Sequence, residues 1–151
     1  MIFIDSREKP AAIKRTKEYF DKRGIKYAVT KLYVGDYQRA DNGLLLIDRK
    51  QGVLELANNA TQGHERFKRE LCRLDGIKGK MYILIEEKLD SLEDINNWVS
   101  PIKRDGTPYT KLEGRTLYRI LASWKYKHNI EFVFCHKNST GKVIAELLGV
   151  K

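Results

Sequence analysis

Two short runs constrain this chain most: Leu44-Leu45-Leu46-Ile47 and Tyr82-Ile83-Leu84-Ile85. Each has the length of a strand and is apolar at successive positions. Side chains alternate across a strand, so both faces must be covered. A sheet with such strands at its centre needs helices on both sides. The chain supplies them. Residues 1–5, 26–32, 35–40, 44–50, 81–87 and 130–135 read as strands. Residues 10–23, 52–59, 62–75, 91–98, 115–128 and 139–149 read as helices. Pro10 suits a first helical turn and Gly24 a helix end. Leu117, Ile120, Leu121 and Trp124 recur at core spacing. Asp41-Asn42-Gly43 between two strands is a hairpin signal. Strands and helices interleave, which predicts an α/β fold: a mixed central sheet flanked by helices on both faces.

The length of 151 residues fits one domain, and 42% hydrophobic with 32% charged residues is a globular composition. Lys and Arg number 29 against 20 Asp and Glu, a net charge of +9. That excess suits a polyanion, nucleic acid before an anionic membrane surface, though a charged surface also serves solubility alone. The two cysteines, Cys72 and Cys135, are distant and lack CxxC spacing, which excludes a cysteine zinc site and fits free thiols in a reducing compartment. No apolar run is long enough to span a bilayer, and the opening MIFID meets a charge too early for a signal peptide. The expectation is a soluble, intracellular, cytoplasmic protein with no membrane partner. No repeat or low-complexity segment is present.

The strand at 44–50 ends in Asp48-Arg49-Lys50 with no turn residue between core and charge. Asp48 and Lys50 share one face. If residues 41–43 form a three-residue loop, Ala40 pairs with Leu44 and Asp36 falls opposite Asp48. If Asn42-Gly43 form a two-residue turn, Asp36 faces Arg49 and the cluster breaks unless a bulge repairs it. Two facing carboxylates repel unless a cation sits between them. Their hard oxygens select Mg2+ or Mn2+ over zinc. Such an ion polarises a phosphodiester, and Lys50 would offset charge on the phosphorane or orient the attacking water. A simple Asp–Lys pair at a strand end is the plainer reading of the same residues.

The segments GDY at 35–37 and LIDRK at 46–50 resemble the GD…ERK pattern of the XPF-type nuclease domain, within the restriction-endonuclease-like fold. IDSRE at 4–8 is similar to that family's first strand, HERFKREL at 64–71 to its arginine-bearing helix, and residues 130–148 to its last strand and helix. The resemblance covers nearly the whole chain. It implies that Asp36 and Asp48 are metal ligands, that Lys50 is the catalytic lysine, and that Asp5 completes the site. Arg49 matches the motif's middle arginine and is counted among the DNA-facing cations. The motif's Asp four residues after the Lys is replaced here by Leu54, with Glu55 next to it. The resemblance implies a single nuclease domain over 1–151, without a helix-hairpin-helix or helicase module, and Mg2+-dependent cleavage of DNA at flaps, forks or junctions. It also implies homodimerisation through the last two helices, whose Ile120, Trp124, Ile144, Leu147 and Leu148 are equally explained as core. A silent DNA-binding module of the same fold is the alternative. A small RNA-binding protein is suggested by charge alone and leaves the hairpin acids without a role.

Arg66, Arg69 and Arg73 fall on one helical face, where forked donors suit phosphates; local pairs with Glu65 and Glu70 are the plainer reading. The loop at 100–114 carries Lys103, Arg104 and Lys111 around Tyr109, a composition that holds a nucleic-acid strand by charge and stacking or simply makes a mobile loop. His64, His128 and His136 show no metal spacing. NSTGK at 138–142 lacks the spacing of a phosphate-binding loop. Glu86 and Glu87 end a central strand near the same sheet edge.

Overall fold

The computed structural model describes residues 1–150. Six strands form one mixed sheet: β1 (Ile2–Asp5), β2 (Tyr27–Thr30), β3 (Tyr37–Arg39), β4 (Asn42–Lys50), β5 (Lys80–Ile85) and β6 (Ile130–Phe134). Their order across the sheet is β2-β1-β3-β4-β5-β6. β3 runs antiparallel to both neighbours, and the other pairings are parallel. Both all-apolar runs lie in inner strands, β4 and β5, and Leu46, Ile47, Ile83, Leu84 and Ile85 are buried, whereas Leu44, near the hairpin tip, is 51% exposed.

Four α-helices connect the strands, α1 (Pro10–Arg23), α2 (Val53–Ala60), α3 (His64–Gly76) and α4 (Gly114–Lys127), and α5 (Thr140–Leu148) follows the last strand. The expected short helix at 91–98 is a 3-10 turn over Leu92–Asn97, started by a reciprocal Ser91–Asp94 cap. Each sheet face carries its own core. One holds Leu46, Ile83 and Ile85 with Leu56, Phe67, Leu71, Leu117 and Trp124 from α2, α3 and α4. The other holds Ile47, Tyr37 and Leu84 with Phe20, Ile144 and Leu148 from α1 and α5. The last two helices therefore cover opposite faces. Ile144 and Leu148 are fully buried and Trp124 nearly so, while Ile120 and Leu147 pack against the two cores. These residues close the monomer, so the core explanation of them holds. Among the described residues, no helix is long and apolar enough to cross a membrane.

The hairpin differs from both turns read from Asp41-Asn42-Gly43. Arg39 pairs with Asn42, so the tip is the two-residue turn Ala40–Asp41. A register shift between Gln38 and Arg39 then takes up the extra residues of β4. Beyond it Gln38 pairs with Leu46 and Tyr37 with Ile47. Continuing that register sets Asp36 opposite Asp48. A bulge restores the phase that the turn alone would lose. Asp41 is held at the tip by Arg39 Nε at 2.5 Å, an arginine that also donates to the Leu148 carbonyl.

Candidate active site

Strand alternation splits the charges that end β4. Asp48 and Lys50 follow Leu46 onto the face covered by α2 and α3. Arg49 follows Ile47 onto the face of α1 and α5. All three are buried, at 5%, 6% and 8% exposure. Burying three charges in a row is costly unless each is paired or ligated.

Arg49 is paired. Its Nε donates to Glu8 at 2.8 Å and its Nη1 to Glu86 at 2.5 Å. Burial would lower the guanidinium pKa, but the hydrogen bond and charge of Glu8, with Glu86, hold it above its ordinary value. Thr140 Oγ1 donates to the other oxygen of Glu86. Arg49 is thus a buried tie between β1's end, β5's end and α5, and its side chain is not a free DNA contact. Glu86 serves as its counter-ion. Glu87 instead accepts the Val53 amide at 3.1 Å, capping the start of α2.

On the opposite face the acids gather. Asp36 is fixed by its backbone: its amide donates to the Ile47 carbonyl and its carbonyl accepts from the Asp5 amide, both at 2.8 Å. Its Oδ2 accepts from the Arg49 amide at 2.8 Å. Gly35 before it has φ +75, and a Cβ there would lie 3.1 Å from the Ile47 carbonyl oxygen. Only glycine lets the chain turn Asp36 onto β4 at this distance. Burial first, and the Asp48 charge second, push the Asp36 carboxyl well above the ordinary carboxylate range. Lys50 Nζ lies 3.0 Å from Asp48 Oδ2 and 4.7 Å from the centre of the Phe67 ring. That close approach lacks hydrogen-bonding direction, and Asp48 Oδ2 is buried with no hydrogen-bond partner. Burial works against the Lys50 charge, yet Asp48 and Glu55 keep its pKa raised.

A cavity of about 270 Å³ opens beside these groups, lined by Asp36, Asp48, Lys50, Glu55, Arg66 and Glu70 among others. Glu55 and Glu70 join the acids foreseen. Glu55 lies in the first turn of α2 and accepts the Gln51 amide at 3.0 Å. Leu54, which stands at the motif's fourth position, does not line the cavity. Glu70 on α3 accepts the Gly35 amide at 2.9 Å. Its pKa is raised by burial and then by Asp48, against the Gly35 amide, Lys50 and Arg73. With Glu8, five carboxylates line one cavity together with Lys50, Arg49 and Arg66.

Asp5 stays out of it. Its carboxylate takes Arg7 Nε at 3.0 Å and the Leu32 amide at 2.9 Å, which pins the segment after β2 to the end of β1. It is absent from the cavity lining. Of the α3 arginines, Arg66 reaches the cavity rim, and Arg69 is exposed away from it. Arg73 lies against Tyr33, its guanidinium 5.8 Å from the ring centre. Lys103, Arg104 and Lys111 are exposed on the loop before α4, with Lys103 Nζ 5.9 Å from the Tyr109 ring centre. A groove of about 610 Å³ beside Lys111 shares no residue with the acid cavity.

The donor chemistry fits a hard divalent cation: oxygen ligands only, two of them on facing carboxylates, one with a buried oxygen left without a hydrogen bond. Among the described residues no three acid, histidine or cysteine side chains already converge as a metal cage. Two carboxylates completed by waters are what magnesium ordinarily takes.

The ERCC4 domain family matches residues 4–147. The chain belongs to that family. Among solved structures it is similar to XPF from Aeropyrum pernix, with TM-score 0.67 and 20% identity over 98% of this chain. The same protein in complex with DNA aligns with TM-score 0.68 and 19% identity over 98% of this chain. The chain spans 59% and 62% of those two solved chains, about three fifths of their length. No curated protein sequence matches it. At this identity the structural matches establish the fold of the ERCC4 domain, a mixed sheet with helices on both faces.

Proposed function

We propose that this ERCC4 domain is a divalent-metal-dependent endonuclease acting on branched DNA such as flaps, forks or junctions. One observation carries the reading. Asp36 and Asp48 face each other at the hairpin mouth, with the Asp36 pKa raised by burial and by the Asp48 charge, and with Lys50 set against Asp48. A fold has no structural need for that repulsion, and a bound Mg2+ or Mn2+ removes it. Asp36 and Asp48 would hold the ion, with Glu55 and Glu70 within the same cavity to bind its waters. The ion would polarise the phosphodiester and lower the pKa of a bound water. Lys50 stays protonated and offsets charge building on the phosphorane. Arg66 at the rim pairs with a phosphate oxygen. A DNA complex of a similar protein supports the nucleic-acid side of the reading.

The silent DNA-binding module is favoured by one feature, the Asp48–Lys50 pair, which offsets the Asp48 charge without metal. Cleavage separates the two. Labelled flap, fork, four-way-junction and plain duplex DNA are incubated with Mg2+, Mn2+ or EDTA, with wild type beside Asp48→Asn. Metal-dependent cutting that prefers a branch and falls at least a hundredfold in the variant is expected. Binding without cutting under either metal overturns the nuclease in favour of the module.

A further inference from the structure

Tyr33 is 65% exposed, between Leu32 at 5% and Val34 at 2%. The alternation forces its ring outward. The segment bearing it is not loose. Asp5 holds the Leu32 amide, and Glu70 holds the Gly35 amide. Arg73 sits 5.8 Å from the Tyr33 ring centre, and its Nε makes no hydrogen bond. The guanidinium therefore backs one side of the ring, while the exposure leaves the rest to solvent.

The location matters more than the exposure. Tyr33 is three residues before Asp36 on the same fixed segment. Arg73 is three residues after Glu70, and Arg66 four residues before it, so all three share one side of α3. Glu70 and Arg66 line the acid cavity. Arg73, which backs the ring, lies about 4.5 Å further along α3 than Glu70 of that cavity. Successive nucleotides of a single strand are spaced on this scale. Tyr109, the other exposed aromatic beside a cation, lies on the loop before α4, none of whose residues lines the acid cavity.

We infer that Tyr33, backed by Arg73, is a stacking platform for an unpaired nucleobase of the strand whose phosphate enters the acid cavity. The inference rests on the nuclease reading and adds a substrate feature to it. A base can lie on an aromatic face only when it is not paired and stacked within a duplex. The platform thus selects a strand with an unpaired nucleotide beside the cut. Arg73 adds positive charge under the ring and strengthens its hold on a base.

The test separates this inference from the activity. Flap duplexes carry one 2-aminopurine, its position walked along the unpaired arm, and binding is followed in EDTA, where no cutting is expected. Wild type and Tyr33→Phe are expected to quench the fluorophore at one position. Tyr33→Ala loses the quench and binds the flap about tenfold more weakly, with plain duplex affinity unchanged. Circular dichroism confirms that the variants fold. Tyr33→Ala keeping both quench and affinity, or no position quenched in wild type, overturns the platform. Cutting with Mg2+ is scored on the same substrates. A quench that depends on Tyr33 without cutting sinks the nuclease and leaves the platform; cutting without that quench does the reverse.

Discussion

Asp36 carries the largest conflict at the scale of single residues. Its folded pKa is well above its unfolded one, because burial and Asp48 disfavour its charge. The folded chain then binds more protons than the unfolded chain between the ordinary carboxyl pKa and the raised one. Stability in EDTA therefore falls as pH rises through that window and stays low above it. Asp36→Asn removes the repulsion and keeps an acceptor for the Arg49 amide. At pH 8 in EDTA it is expected to be more stable than wild type by about 1 kcal/mol, a rise of a few degrees in Tm. Magnesium should raise Tm for wild type and leave the variant nearly unmoved. Calorimetry with and without the ion reads both, and a variant less stable than wild type in EDTA would remove the argument for a metal between the acids. Asp36, Asp48 and Lys50 were legible in the sequence because strand alternation and one register bring them together. Glu55 and Glu70 were not. They arrive from α2 and α3, and no strand pattern says how far a helix reaches over a sheet. The available signal was Glu55 beside the departing Leu54, and Glu70 one turn from Arg66. Asp5 was misplaced because the resemblance gave its position on β1, while the side chain is taken by Arg7 and the Leu32 amide.

The elements that matter most are the hairpin and the bend before it. Gly35 must hold φ +75 against the Ile47 carbonyl. Gly35→Ala strains that bend and crowds β4, at a cost of about 1–3 kcal/mol, and shifts Asp36 from its partner. Urea denaturation is expected to show the loss, and cutting to fall more steeply than folding. A variant of full stability and full activity would show that the bend does not position the acid. Element order, types and most boundaries followed from apolar periodicity and helix-end residues. The turn did not. Asn42-Gly43 has the stronger local preference for a tight turn, yet Ala40–Asp41 makes it. Arg39 anchors Asp41 and the end of α5, and the bulge keeps Ile47 and Leu46 on their proper faces. Tertiary packing overrode local propensity.

For the whole molecule, the charge of +9 sets the terms of binding. Affinity for any DNA should fall steeply with salt, with a log–log slope that counts the phosphates neutralised. The arginines of α3 divide on this measure. Arg69→Ala is expected to weaken binding to all DNA by a few fold and reduce the slope by about one. Arg66→Ala should lower the cutting rate more than the affinity, because on the proposed reading Arg66 would meet the scissile phosphate at the cavity rim. Titrations from 50 to 200 mM salt beside single-turnover cutting compare them. Equal effects of the two variants on rate would deny Arg66 its place. The overall charge pointed to a polyanion from the outset. Which cations face the cavity depended on the helix's rotation against the sheet, and composition carries no such information.

The bulge behind the Ala40–Asp41 turn separates two halves of one hairpin. Toward the mouth, the pairing of Tyr37 with Ile47 fixes which carboxylates meet. Toward the tip, the chain keeps a different count. Changes at the tip therefore need not propagate to the acids. Residues 40–41 offer a place for a fluorophore or a short insertion that reports on the domain without disturbing it. Deletion of Tyr37, on the other side of the bulge, would set Asp36 opposite Ile47 and take it away from Asp48.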